Sequence, residues 1–344
     1  MCELESDSID LMITSPPYPM IEMWDSLFSS LNDEIKQALD VEDGRKAFNL
    51  MHEELGKVWK EVARVLKHGG IGCINIGDAT RKIGHNFQIF PNHVKISNSF
   101  YDNEFIELPC ILWRKPTNSP NKFLGSGMLP PNAYVTLEHE YILIFRKGDI
   151  KRDLPPKSEN RYHSAFFWEE RNKWFSDIWE DIKGTTQNLD KNNVNQNKIR
   201  ERSAAYPLEV PYRLINMFSL YKDTILDPFW GIGTTTLAAM LSARNSIGYE
   251  INSEFMNFFK MNIHKLKQLN SDINNARLNK HIDFIKKYSK EVKETKYRSV
   301  HYNVPVITKQ EKEILLYSIN NYSENRNEFV LTYEKFKFDH KTKF

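Results

Sequence analysis

The sequence contains little cysteine, and neither its cysteines nor its histidines form a ligand pattern. Among the 344 residues are three cysteines, Cys2, Cys73 and Cys110, and no two of them have CxxC spacing. This count excludes a disulfide-stapled secreted domain and a CxxC zinc site. The ten histidines are scattered through the chain without the spacing of metal ligands. The sequence therefore predicts no metal site.

Long apolar runs are also absent. No stretch approaches the ~18 apolar residues that a membrane-spanning helix requires. The first residues, Met1 to Asp7, are acidic and unlike the basic start of a signal peptide. We therefore expect a soluble protein of a reducing compartment, the cytoplasm.

The composition is that of a folded protein with a substantial core. Apolar residues make up 40%, aromatic residues 12% and charged residues 27% of the chain, which excludes a fully disordered chain. A length of 344 residues suggests two domains, or one large domain with additions.

The net charge is only +2, but it is unevenly distributed. Residues 257–344 carry eight more basic than acidic side chains, and residues 1–256 carry a net negative charge. A basic tail fits a polyanionic partner, because Lys and Arg neutralise phosphates. It also fits a solvated, Lys-rich helical surface, so charge alone does not choose between the two.

The order of predicted elements indicates an α/β fold. Residues 9–13 form a short apolar run, residues 46–66 show a helical period, and residues 71–76 form a second apolar run. The glycines at 69 and 70 predict a stop after the helix. Strand, helix and strand in this order favour parallel pairing. Further strands are predicted at 107–113, 140–145, 224–226 and 246–250, and further helices at 24–39, 210–220, 235–244 and 252–269.

A glycine-containing loop follows the predicted strand at 224–226. Asp227 ends this strand, Gly231 and Gly233 occupy the loop, and a helix follows. Glycines let a backbone approach a nucleotide closely at the carboxyl end of a parallel strand. Glu250 ends the next strand, where a carboxylate can accept both hydroxyls of an adenosine ribose. Position 236 is Thr rather than the third glycine of GxGxxG, which argues against a nicotinamide dinucleotide.

A second loop, Ser15-Pro16-Pro17-Tyr18, follows the predicted strand at 9–13. Two prolines fix the backbone, so that the Ser15 hydroxyl and the Pro16 carbonyl can both point at one amino group. Tyr18 offers an aromatic face beside them. Accepting hydrogen bonds from the exocyclic NH2 of a planar base would make its nitrogen more nucleophilic, and stacking would hold the ring.

Together the two loops resemble the motifs of the amino-group DNA methyltransferases, which make N4-methylcytosine or N6-methyladenine. The segment 227–235, DPFWGIGTT, is similar to their S-adenosylmethionine loop, and 15–18, SPPY, is similar to their catalytic tetrapeptide. The catalytic motif comes first, as in the permuted beta subgroup. The resemblance implies a Rossmann-like methyltransferase fold: a mostly parallel twisted sheet, circularly permuted, with an inserted recognition region.

The same resemblance assigns the site residues. It implies base binding and catalysis by Ser15 to Tyr18, with direct methyl transfer and no covalent intermediate. Tyr206 lies in a segment that in the family helps to hold the methionine carboxylate. The residues expected to bind S-adenosylmethionine are Asp227, Pro228, Phe229, Gly231, Gly233, Thr234, Thr235, Glu250 and Tyr206.

The family also divides the chain and suggests its substrate. Residues 1–146 correspond to the catalytic half, 147–202 to a target-recognition insertion, 203–269 to the cofactor half and 270–344 to a basic C-terminal extension. Serine at position 15 is typical of N4-cytosine enzymes, whereas aspartate is typical of N6-adenine enzymes. Contacts with double-stranded DNA are expected from Arg161, Arg171, Lys173, Lys198, Arg200 and Arg202.

Several alternatives stay open at this point. An N6-adenine enzyme shares the same motifs, and methyltransferases directed at RNA or protein share the tetrapeptide. A DNA-binding or nicotinamide-binding protein without catalysis would explain the glycine loop but not Ser15 to Tyr18. A restriction endonuclease as functional partner is a habit of the family.

Overall fold

A seven-stranded sheet lies at the centre of the fold. The computed structural model describes residues 1–115, 124–184, 205–292 and 294–339. The described strands, numbered along the chain, are β1 (Ile9–Thr14), β2 (Leu66–Ile76), β3 (Ala79–Ile83), β4 (Asn86–Phe90), β5 (Phe105–Arg114), β6 (Leu124–Gly125), β7 (Ala133–Tyr134), β8 (His139–Lys147), β9 (Ile178–Trp179), β10 (Thr224–Asp227), β11 (Asn245–Gly248), β12 (Tyr297–Arg298), β13 (Pro305–Val306), β14 (Tyr317–Asn325) and β15 (Glu328–Lys335).

Helices cover both faces of this sheet. The described α-helices are α1 (Asp25–Leu31), α2 (Asp33–Asp40), α3 (Gly44–Val65), α4 (Asn92–Asp102), α5 (Glu159–His163), α6 (Trp168–Trp174), α7 (Glu209–Phe218), α8 (Thr234–Leu241), α9 (Ser253–Ile263) and α10 (Leu266–Glu291), with 3-10 helices at Glu22–Trp24 and Lys309–Glu313. No helix among the described residues combines the length and the apolar character that crossing a membrane would require.

The spatial order of the sheet is β11-β10-β1-β2-β8-β5-β9. All of its strands run in one direction except β8, which is antiparallel to both neighbours. The α/β fold with a mostly parallel sheet is therefore confirmed. Because β8 is reversed, its first residues lie at the same edge of the sheet as the last residues of β1, β2 and β10.

Strand β1 occupies the middle of the sheet because its residues can be buried on both faces. All six of its residues are buried. Met12 packs into an apolar cluster with α3 on one face, and Leu11 and Ile13 pack into a second cluster with α7 and α8 on the other. A continuous apolar run of this kind is typical of a strand covered by helices on both sides.

The end of α3 differs from the sequence expectation. The helix stops at Val65, and β2 begins at the next residue instead of after the two glycines. Gly69 has φ +77°, and a Cβ there would lie 2.4 Å from the backbone nitrogen of Arg152. The glycine therefore permits close approach of a neighbouring segment inside an irregular strand, and it does not end the helix.

The amino-terminal edge of the sheet is held together by buried charges. Arg152 pairs with Asp223 at 2.5 Å and with Asp10 at 3.3 Å. Asp10 also accepts a hydrogen bond from the backbone N–H of Thr224, the first residue of β10. These contacts tie the segment after β8 to the starts of the two central strands.

The sequence pattern did not predict the long helix α10, because several residues on its buried face are polar. Its buried side chains include Asn270, Asn274 and His281, at positions where a hydrophobic pattern expects apolar residues. The Asn270 amide donates to the carbonyl of Leu241, and the Asn274 amide donates to that of Tyr317. Each buried amide therefore donates its hydrogen bond to a backbone carbonyl. Because these positions are polar, the sequence shows no helical repeat of apolar residues beyond residue 270.

Helix α10 also joins two regions that the sequence predicted to be separate. The predicted boundary at residue 270 falls inside the helix. Its Leu278 and Ile282 share an apolar cluster with Phe167, from the expected recognition insertion, and with Val304 from the C-terminal region. On the same helix, Arg277 forms a bidentate ion pair with Glu170 of α6, with N–O distances of 2.6 and 2.8 Å.

We expect this buried ion pair to be essential to stability. Arg277→Met would leave Glu170, whose side chain is only 11% exposed, as an uncompensated buried carboxylate. The free energy of unfolding should fall by about 3 to 5 kcal/mol, as measured by chemical denaturation. Lys36→Met is the control, because its pair with Asp40 is exposed and should contribute less than about 1 kcal/mol. Equal losses in the two variants would contradict the expectation.

Candidate active site

The two loops predicted from the sequence meet at the carboxyl-terminal edge of the sheet. Strands β1 and β10 are adjacent and parallel, so Thr14 and Asp227 end neighbouring strands, and Ser15 directly follows the first of them. The Thr14 hydroxyl donates a hydrogen bond of 2.6 Å to Oδ1 of Asp227. This bond directly connects the strand before the catalytic tetrapeptide with the first residue of the glycine loop.

Asp227 lies at the centre of a buried chain of hydroxyl groups. The Thr235 hydroxyl donates to Oδ2 of Asp227 at 2.5 Å, and Tyr206 is hydrogen-bonded to the same hydroxyl. The backbone N–H of Phe229 donates to Oδ1 at 3.1 Å. Burial raises the pKa of Asp227 to about 6 despite these donors. Burial also raises the pKa of Tyr206 well above its usual value, so its phenol stays protonated.

The two glycines of the loop serve different purposes. Both have positive φ, +54° at Gly231 and +79° at Gly233. A Cβ at Gly233 would lie 2.5 Å from the ring of Phe259, whereas a Cβ at Gly231 would meet nothing within 4 Å. Gly233 is thus required for packing as well as for conformation, and Gly231 borders open space into which a ligand could fit.

Glu250 holds the glycine loop from the other side. One of its carboxylate oxygens accepts from the N–H of Gly231 and the other from the N–H of Asn252, each at 2.8 Å. Each oxygen keeps a further lone pair for another donor. The carboxylate is half-buried, so Glu250 could bind a ligand while fixing the loop.

The remaining residues of the loop divide between the site and the core. Phe229 is half-buried and packs edge-on against Trp59, with ring centroids 5.6 Å apart. Pro228 is buried, and Thr234 begins helix α8 with its side chain half-buried. Trp230 is buried, and its indole N–H donates to Thr236 at 2.7 Å. The threonine that replaces the third glycine therefore anchors a core tryptophan.

The Ser15 loop lies against a polar network that the sequence did not predict. Pro16 is buried, and Ser15, Pro17 and Tyr18 are half-buried. The Tyr18 hydroxyl lies 3.2 Å from Oγ of Ser15 and donates to Oε2 of Glu140 at 3.0 Å. Its pKa is raised well above its usual value by burial and by the charge of Glu140, so Tyr18 remains a hydrogen-bond donor.

Three side chains from other strands complete this network. The amide of Asn75 donates to the Tyr18 hydroxyl at 2.8 Å and to Oε2 of Glu140 at 2.7 Å. Lys115 pairs with the other oxygen of Glu140 at 2.9 Å. Asn75 and Lys115 stand at or after the ends of β2 and β5, and Glu140 stands near the start of the reversed strand β8. The only available sequence signal was polar residues at strand ends, and the direction of β8 was needed to bring Glu140 to this edge.

Comparisons with known proteins identify the family. A family model described as DNA methylase, of the N6 and N4 type, matches residues 9–261. The chain belongs to the N6/N4 DNA methylases. The order of its motifs, tetrapeptide before glycine loop, is that of the beta subgroup, and the family inferred from the sequence is confirmed.

Individual relatives agree with this family. The chain is 51% identical to the Type II methyltransferase M.MthZI of Methanothermobacter thermautotrophicus over 97% of its own length and 92% of that protein. It is 52% identical to the Type II methyltransferase M.MjaI of Methanocaldococcus jannaschii over 81% and 93% of the two chains. A structure described as a putative DNA modification methylase of Thermus thermophilus, complexed with S-adenosyl-L-methionine, is 29% identical, with a TM-score of 0.58 over 77% of this chain and 89% of that one.

Of the six side chains of this DNA methylase that were expected to contact DNA, three lie among the described residues. Arg161 and Arg171 line a cleft of about 1060 Å³ together with Asp10 and Gly69, which lie at the amino-terminal edge. The segment after β8 starts at that edge, because β8 is reversed. Lys173 pairs with Asp181 at 2.7 Å. Lys198, Arg200 and Arg202 lie outside the described residues.

Because its pKa is raised, Asp227 should make the free energy of unfolding depend on pH. Its folded-state pKa of about 6 lies above the ordinary value of 3.8, so the folded state holds a proton that the unfolded state releases. The resulting stabilisation is complete below about pH 4 and is lost as pH rises through 6. The free energy of unfolding of the wild type, relative to Asp227→Asn, should fall by roughly 2 kcal/mol between pH 4 and 7.

Chemical denaturation of both proteins at each pH measures this difference. The comparison cancels the other titrating groups, because they are shared by the two proteins. A difference that stays constant between pH 4 and 7 would show that Asp227 is ionised throughout.

Proposed function

We propose that this DNA methylase transfers a methyl group from S-adenosylmethionine to the exocyclic N4 of a cytosine flipped out of duplex DNA. The observation that carries the proposal is the 2.6 Å hydrogen bond from Thr14 to Asp227. Through it, the loop suited to the methyl donor and the loop suited to the base open at the same edge of the sheet.

The residues around the glycine loop fit S-adenosylmethionine. That molecule carries positive charge, a ribose diol and an amino-acid group. Asp227 and Glu250 are carboxylates that no cationic side chain pairs with among the described residues. Gly231 leaves space beside them, and Tyr206 lies next to Thr235. When bound, S-adenosylmethionine supplies an electrophilic methyl group on a sulfonium.

The Ser15 loop would orient the amine that is methylated. The lone pair of an exocyclic amine is delocalised into the base and is poorly nucleophilic. The Ser15 hydroxyl and the Pro16 carbonyl would accept its two N–H bonds and favour a tetrahedral nitrogen. Tyr18 would stack on the base, and its bonds to Asn75 and Glu140 hold its ring in place. Such access requires the base to leave the helix.

Serine at position 15 supports cytosine over adenine. It offers a neutral hydroxyl where the N6-adenine enzymes typically have a carboxylate. An N6-adenine enzyme is the second candidate, since the rest of the site would serve either amine.

The partners of the reaction follow from the family and from the relatives. Curated relatives are Type II methyltransferases, so we propose duplex DNA as substrate and a restriction endonuclease as functional partner. The proposed DNA contacts are the predicted set of basic side chains: Arg161, Arg171, Lys173, Lys198, Arg200 and Arg202.

Removing the Ser15 hydroxyl should separate methyl transfer from cofactor binding. Ser15→Ala should lower turnover on duplex DNA about 10- to 100-fold, because one acceptor for the amine is lost. Its affinity for S-adenosylmethionine should match that of the wild type in calorimetry. Mass spectrometry of the nucleosides from wild-type reactions should show N4-methylcytosine.

Ser8→Ala is the matched control, because Ser8 precedes β1 and Ser15 follows it. Within the described part of the chain, the Ser8 hydroxyl bonds only to the carbonyl of Glu5, and this variant should retain full activity. Wild-type turnover in Ser15→Ala would refute the base-binding role. Detection of N6-methyladenine as the product would show that the target base is adenine and not cytosine.

Glu140→Gln tests the positioning of Tyr18. Glutamine has no negative charge and only one acceptor oxygen, whereas Glu140 accepts from Lys115 at one oxygen and from the Tyr18 hydroxyl at the other, so the ring should become less well fixed. We expect kcat to fall about 10- to 100-fold while the Kd for S-adenosylmethionine is unchanged. Glu138→Gln is the control, because Glu138 lies on the same segment but pairs with the exposed Arg114. If Glu140→Gln instead weakened the binding of S-adenosylmethionine, Glu140 would support the glycine loop and not the Ser15 loop.

A further inference from the structure

Two histidines and a glutamate meet at a place that the methyl transfer does not use. His163 ends α5, His301 follows β12, and Glu313 ends the 3-10 helix Lys309–Glu313. One ligand atom from each lies within 4.8 Å of the other two. A second carboxylate is near, since Glu159 lies 3.5 Å from Nε2 of His163.

His301 is the unusual member of this cluster. Its Nε2 is buried and has no hydrogen-bond partner, and Glu313 is 4.0 Å away, too far for a hydrogen bond. A buried polar atom without a partner is costly and calls for a physical explanation, such as an ion. A ring nitrogen that no hydrogen-bond partner occupies can offer its lone pair to a metal ion.

A second cluster in the same region lacks these properties. Glu169, His281 and Glu311 also have ligand atoms within 4.8 Å. Both nitrogens of His281 are already bonded, Nδ1 to Glu169 at 3.1 Å and Nε2 to the carbonyl of Pro305 at 2.8 Å. A ring with both nitrogens engaged offers no lone pair to a metal, and Glu169 raises the pKa of His281 against the effect of burial. This histidine is a structural donor.

We propose that His163, His301 and Glu313 bind a divalent transition metal, for which Zn²⁺ is the best match. Two imidazoles with one or two carboxylates form a ligand set that suits zinc, whereas calcium and magnesium prefer oxygen ligands throughout. Zinc is bound by four ligands in structural sites, and Glu159 can supply the fourth. Nε2 of His301 and the nearer oxygen of Glu313 are 4.0 Å apart, within about 1 Å of the separation of two ligands on one tetrahedral zinc ion.

The ion can reach this site from solvent. Glu159 and His163 line a cleft of about 1110 Å³, and the side chain of Glu313 is 42% exposed. The site lies near the amino-terminal edge, because Asn160 of α5 donates to the carbonyl of Tyr221, just before β10. The Ser15 loop lies at the opposite edge, after the end of β1, so the position indicates a structural ion that joins α5 to the C-terminal region.

The test uses the full chain, stripped of metal by a chelator and then titrated with ZnCl₂. We expect the wild type to bind one equivalent in calorimetry and its Tm to rise by on the order of 5 °C. With CoCl₂ in place of zinc, the visible absorption of four-coordinate cobalt should appear. His301→Gln and Glu313→Gln should bind at least about tenfold more weakly and lose the shift in Tm. If His301→Gln fails to fold because the histidine is buried, Glu313→Gln still tests the site.

His85→Gln is the matched control, because His85 is exposed in the turn between β3 and β4. It should behave like the wild type in every measurement. Absence of zinc binding by the wild type would overturn the proposal. Equal binding by the wild type and Glu313→Gln would overturn it as well, since the ion would then lie elsewhere. None of these measurements depends on methyl transfer, so they are independent of the proposed function.

Discussion

The hydrogen bond between Thr14 and Asp227 is the contact on which the rest of the site depends. It exists because β1 and β10 are adjacent and parallel, so that both strands end at the same edge. Asp227 is buried and would be costly without donors, and the hydroxyls of Thr14 and Thr235 supply them. The carboxylate that starts the glycine loop is thereby fixed to the strand that leads into Ser15. Two loops from distant parts of the chain become one site.

The two edges of the sheet are used for different purposes. At the carboxyl-terminal edge, polar side chains surround open space and hold Tyr18 and Glu140 in a defined arrangement. At the amino-terminal edge, Arg152 is engaged with Asp10 and Asp223 and fixes the strands. This division follows the general rule that parallel sheets place their sites at the carboxyl ends of strands.

The C-terminal region and the segment after β8 form one packed unit around α10. Phe167 stacks on His281, with ring centroids 4.1 Å apart, and Arg277 pairs with Glu170 in the same interface. The basic character of residues 257–344 is therefore combined with a structural role in covering the sheet. The proposed zinc site lies at this junction and would add a further link between α5 and the 3-10 helix.

The sequence by itself determined the α/β class, the family and the two loops of the site. These are local properties, because a short apolar run predicts a buried strand and prolines or glycines predict a tight loop. Tertiary structure alone decided the roles of Glu140 and of His301. Glu140 reaches the site only because β8 is reversed, and His301 meets His163 only when two distant segments pack together. Sequence order likewise does not tell which edge of a sheet a connecting segment covers, so only the structure places Arg161 in the cleft beside Asp10.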